Sequence, residues 1–139
     1  MTDTKGGGNL PQSRDFATHF VEGVDHFNAR EFWNAHESWE TIWLVAASEV
    51  EQFLQGLIQL AAAYHHVQRG TYRGAIRLFE AALRRLEPYA SGYCDLDRAS
   101  AEAAARQMRE RLISGSVDEI TYPELVLLSR KPAPPFVQW

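Results

Sequence analysis

The chain is poor in cysteine and has no long apolar run, and both shortages narrow what it can be. Cys94 is the only thiol among 139 residues, so no disulfide can form within the chain. That fits a reducing compartment and excludes a stapled secreted scaffold. The longest nearly apolar stretch, Leu57 to Tyr64, carries Gln59 and is far too short to span a bilayer. Residues 1–12 are polar and glycine-rich, without the apolar centre of a signal peptide. A cytoplasmic protein with no membrane association is expected. Positive charge is scarce as well: the formal net charge is −4, which gives no general attraction to nucleic acid or anionic lipid. Arg84-Arg85 and Arg106, Arg109 and Arg111 make local basic spots, interleaved with acidic residues. A glycine-rich phosphate loop, a Cys pair, a serine nucleophile elbow and the Glu-x-x-His pairs of ferritin-like bundles are all missing.

What the chain does contain favours helix. Ala, Leu, Arg, Glu and Gln dominate its middle. Apolar periodicity predicts helices over about 14–28, 31–46, 48–69, 72–89 and 96–113. Ser48 with Glu51 makes a capping-box pattern, and Gly70 reads as a left-handed helix terminus. Thr71 is placed to cap the fourth helix, and Asp95 or Asp97 the fifth. The third helix is apolar nearly all round, apart from a narrow stripe of Gln52, Gln55, Gln59 and His66, so it belongs at the centre. The expected fold is all-α: a compact bundle of about five helices over 13–116, with a disordered segment over 1–12. Residues 117–139 read as an extended, proline-rich tail whose Phe136, Val137 and Trp139 would dock on the body or on a partner.

The candidate chemistry lies in the second helix, where His36-Glu37-x-x-Glu40 sits among three of the four tryptophans. At about 100° per residue, Phe32, Ala35, Trp39, Ile42 and Trp43 form one apolar stripe, with His36 falling inside it. A buried imidazole or carboxylate needs a partner. The expected partners are Gln59 and His66 (or His65) on the third helix, which would make an internal polar cluster covered by Trp39, Trp43 and Tyr64. The bland reading is a buried histidine that fixes how the second and third helices pack.

Three functions follow from that cluster. One is a small-ligand or partner-binding module using His36, Trp39, Glu40, Trp43, Gln59 and His66. The second is a divalent-metal-dependent hydrolase, with His36, Glu40 and His66 as ligands and Glu37 as general base, because side chains at i and i+4 can ligate one ion. The third is a structural homodimer that buries surplus aromatics such as Trp33 and Tyr72. The cofactor is left open. His19, Glu22 and His26 share an edge of the first helix, but off its apolar stripe, and read as a solvated face.

The His36-Glu37, Trp39-Glu40 and Trp43 motif, together with Gly56-Leu57-Ile58-Gln59-Leu60-Ala61, resembles domain-of-unknown-function family 309. The pattern continues through Tyr64-His65-His66, Gly70 and Gly74-Ala75, with Gly23 and Phe27-Asn28 upstream. The resemblance spans roughly residues 20 to 90. It implies a small all-helical protein and no particular activity, and it points to His36, Glu37, Trp39, Glu40, Trp43, Gln59 and His66 as the positions to test.

Overall fold

A computed structural model describes residues 13–130. The disordered segment expected over 1–12 and the docking residues Phe136, Val137 and Trp139 lie outside the described residues. Five helices account for the architecture: α1 (Ser13–Asn28), α2 (Phe32–Trp43), α3 (Ser48–Gln68), α4 (Tyr72–Leu86) and α5 (Arg98–Ser114). Each packs chiefly on its neighbours in sequence, α1 on α2, α2 on α3, α3 on α4 and α4 on α5. The short connections leave little alternative to such pairing. No strand forms among the described residues. One isolated antiparallel bridge joins Leu96 to Leu127.

α3 occupies the centre, as its all-round apolar composition predicts. Phe53, Leu54, Leu57, Leu60, Ala61, Ala63 and Tyr64 are essentially without solvent exposure. Gly56 lets α4 come close, since a Cβ there would lie 2.7 Å from Leu86 Cδ2. Tyr64 is the hub of an aromatic group: Phe79 and Phe27 meet it edge-on at 4.8 and 5.5 Å, and Phe32 stacks at 5.3 Å.

Three helices end in the same way. At Gly70, Thr71 N–H donates to His66 O and Gly70 N–H to Val67 O, a Schellman pair. The same two bonds recur around Gly115 and, less predictably, around Arg30, which holds φ 65° without being glycine. Asp97 caps α5 by accepting from Ser100 N–H at 3.2 Å. The expected Ser48 capping box does not form: Ala47 is the extended N-cap residue and no side chain caps α3. α2 stops at Trp43 rather than 46, because residues 44–46 tighten into turns bonded back to Glu40, Ile42 and Trp43 carbonyls.

The segment after α5 turns at Asp118–Glu119, runs extended to a final helical turn at Leu128–Arg130, and forms part of the core. Leu125 and Leu127 are buried. Asn28 clasps the Leu125 backbone from both sides, with Nδ2 donating to Leu125 O at 2.9 Å and Oδ1 accepting from Leu125 N–H at 2.7 Å. Further anchors are Ser129 Oγ on Asp95 and Arg130 on Asp25, the latter at 2.9 Å.

Candidate functional site

The buried face of α2 consists of Phe32, Ala35, Trp39 and Ile42. Trp43 is only partly buried, so the buried stripe is narrower on that side than periodicity predicts. The centre of the true stripe lies about 80° from His36 and about 120° from Glu40, at 100° per residue. His36 therefore sits at the rim, and Glu37 and Glu40 are exposed. Among the described residues no polar or charged residue is fully buried. The internal His36–Glu40–Gln59–His66 cluster is thus replaced by an arrangement along the α2–α3 edge.

Trp39 takes no part in that edge. It has no exposed surface, and its indole N–H donates to Phe20 O in α1 at 3.1 Å. Gly23 makes this possible, because a Cβ there would lie 2.1 Å from Trp39 Nε1. Trp39 locks α1 to α2 and is closed to a ligand. Tyr64 is equally enclosed, and burial raises the pKa of its hydroxyl far above the usual tyrosine value.

At the edge itself, Trp33 stacks on the His36 ring with centroids 4.5 Å apart and planes 8° from parallel. Across the seam, Trp33 also meets His65 of α3 at 5.4 Å. Of the two adjacent histidines, His65 therefore joins His36. His66 turns toward α4, where its Nδ1 lies 2.6 Å from Thr71 Oγ1 and its ring packs over Gly74. Thr71 heads α4 but makes no side-chain cap, since its hydroxyl is committed to His66. Burial lowers the His65 pKa, and the charges of Arg69, His66 and His36 lower it further. His36 Nδ1 and Gln59 Oε1 are both buried without a hydrogen-bond partner among the described residues.

Among the described residues, no three His, Cys, Asp or Glu side chains converge as a metal site. His36, Glu40 and His66 are therefore not brought together as a ligand set: Glu40 faces water and His66 faces α4. Glu37, the candidate general base, is likewise solvated. His19–Glu22 and His26–Glu31 pair at 3.1 and 2.7 Å on the exposed side of α1, the solvated edge expected there. Burial pushes the Cys94 thiol up to about 11, so it holds its proton at neutral pH.

The outer face of α2 carries a feature that apolar periodicity does not predict. Trp33, Glu37, Glu40 and Leu44 fall within about 60° of one another, opposite the buried stripe. Trp33 is 48% exposed and Leu44 49% exposed. Neither the Glu37 nor the Glu40 carboxylate has a hydrogen-bond or ion-pair partner among the described residues. The signal available was the spacing i, i+4, i+7, i+11, with large apolar residues at both ends.

No helix among the described residues is long and apolar enough to cross a membrane. Comparison with curated proteins found no match. A family model described as Domain of unknown function (DUF309) matches residues 20–78, the span from the middle of α1 to the middle of α4. Every motif residue discussed above for α2 and α3 lies inside that match, and over those residues the chain is similar to domain-of-unknown-function family 309.

Proposed function

We propose that this chain is a protein-interaction module whose recognition surface is the exposed face of α2, bordered by His36 and His65. One observation carries the reading: two large apolar side chains, Trp33 and Leu44, stand half exposed at either end of an unpaired acidic pair. Trp33 spends one side of its ring on His36 and His65 and leaves the rest open, and half-exposed aromatics beside polar groups are enriched at recognition surfaces. The remainder of the motif is consumed in packing, as Trp39 illustrates. The test is a photoreactive benzoyl-phenylalanine in place of Thr41, on the shoulder of this face, followed by irradiation in cells. A discrete protein adduct that disappears with Trp33→Ala is expected. No adduct, or the same adducts from a probe at the exposed Ala103 on α5, would overturn the reading.

A second reading, a small polar ligand at the α2–α3 seam, has its own support in the buried His36 Nδ1 and Gln59 Oε1. Buried polar atoms without a partner are uncommon enough to call for an occupant. Native mass spectrometry of the purified protein tests it: a bound small molecule lost on Gln59→Leu supports a ligand site, and bare protein throughout counts against one.

A further inference from the structure

We propose that the exposed face of α2 docks on the exposed face of α4 of a second copy of this chain, head to tail. This rests on the interaction-module reading and names the partner. The basis is charge complementarity between two faces with the same spacing. On α4, Arg73, Arg77, Glu80 and Arg84 repeat the i, i+4, i+7, i+11 pattern of Trp33, Glu37, Glu40 and Leu44 on α2. Arg73, Arg77 and Arg84 are exposed, and none has a hydrogen-bond or ion-pair partner among the described residues. Glu80 is already held by Arg109, whose Nη2 lies 2.6 Å away, so it does not cancel that positive face.

Laid against each other in either direction, the two stripes put Trp33 and Leu44 on arginine stems, one glutamate on Arg77 and the other beside Glu80, whose charge Arg109 already offsets. A guanidinium over Trp33 adds a cation–π contact, and the arginine methylenes cover the apolar ends. Neither face suits its own copy. In a two-fold α2–α2 pair, Glu37 would oppose Glu40 of the other molecule, and an α4–α4 pair would set Arg73 on Arg84 twice, leaving only Arg77 to meet a Glu80 that Arg109 already holds. The two faces cannot meet within one chain either, because α2 and α4 pack on the central α3 rather than on each other. Such an interface is heterologous, so a dimer leaves one free face of each kind and further copies add to it as a ring or an open filament. Its charged contacts are exposed, which makes it weak and salt-sensitive.

Sedimentation of the full chain from micromolar to millimolar concentration tests this. At low salt the weight-average mass should rise with concentration past that of a dimer, and about 1 M salt, which shortens the screening length to roughly 3 Å, should return it to monomer. A variant silent on α2 (Trp33→Ala, Glu37→Gln, Glu40→Gln) and one silent on α4 (Arg73→Gln, Arg77→Gln, Arg84→Gln) should each be monomeric alone. Their equimolar mixture should form a one-to-one dimer that grows no further. All six side chains are solvent-facing or half exposed, and circular dichroism checks that both variants are folded. A chain that stays monomeric throughout, a mixture that fails to pair, or an α4-silent variant that dimerises alone would each overturn the proposal. If the chain is monomeric while the Thr41 probe still yields a Trp33-dependent adduct with a different protein, only the identity of the partner fails. Loss of both signals sinks the interaction reading as well.

Discussion

Gly23 and Trp39 occupy a single volume: the indole N–H that bonds Phe20 O passes through the space a Cβ on Gly23 would take. The contact joins α1 to α2 at the centre of their interface. It also explains why a tryptophan in the middle of the motif is wholly enclosed while Trp33, six residues earlier, is not.

Gly23→Ala should therefore destabilise the protein by roughly 2–4 kcal/mol, combining overpacking with loss of the indole hydrogen bond. Chemical denaturation measures it. The double variant Gly23→Ala, Trp39→Phe should cost less than the sum of the two single changes, because the smaller ring vacates the contested space. Strict additivity would show that the two residues do not compete.

Asn28→Ala should cost about 1–3 kcal/mol, because it strips both the N–H and the carbonyl of Leu125 of their partner. Amide hydrogen exchange should localise the effect, with faster exchange at Leu125 and little change within α3. Asn28→Asp should fare no better at neutral pH, since it keeps the acceptor for Leu125 N–H but sets a carboxylate against Leu125 O.

His65 should make stability fall on mild acidification. Its folded pKa lies below the ordinary 6.5, from burial first and then from Arg69, His66 and His36. The unfolded chain thus takes up the proton more readily, and the contribution present above 6.5 is lost as the pH drops through that value toward the folded one. An NMR titration of the His65 ring should give a midpoint under 6.5, which Arg69→Gln should raise. A midpoint at or above 6.5 would contradict the account.

The overall fold was legible because helical periodicity survives in every element: Phe32, Ala35, Trp39 and Ile42 on α2, and the all-round apolar character of α3. The site was legible only in outline. Trp43 follows Trp39 at helical spacing, so nothing in the sequence reveals that it sits at the rim, and that one residue drew the apolar stripe toward His36 and Glu40. Arg30 ends α1 in a conformation that glycine usually supplies, so composition gives no warning of it. Leu125 and Leu127 lie in an extended stretch with no period to mark them as core. Their burial depends on Asn28, which lies 97 residues away from Leu125 along the chain.

That separation matters on the ribosome. Tyr122 closes the side of the aromatic hub formed by Phe32 and Tyr64, with ring centroids 5.5 and 6.2 Å from theirs. During synthesis α1 through α4 emerge before residues 117–130 exist, so a nascent chain carries the hub with one flank bare. Exposed aromatic surface of that kind invites chaperone binding or aggregation until residues 117–130 arrive. The matched region, ending at residue 78, therefore borrows part of its wall from sequence that is made about 40 residues later.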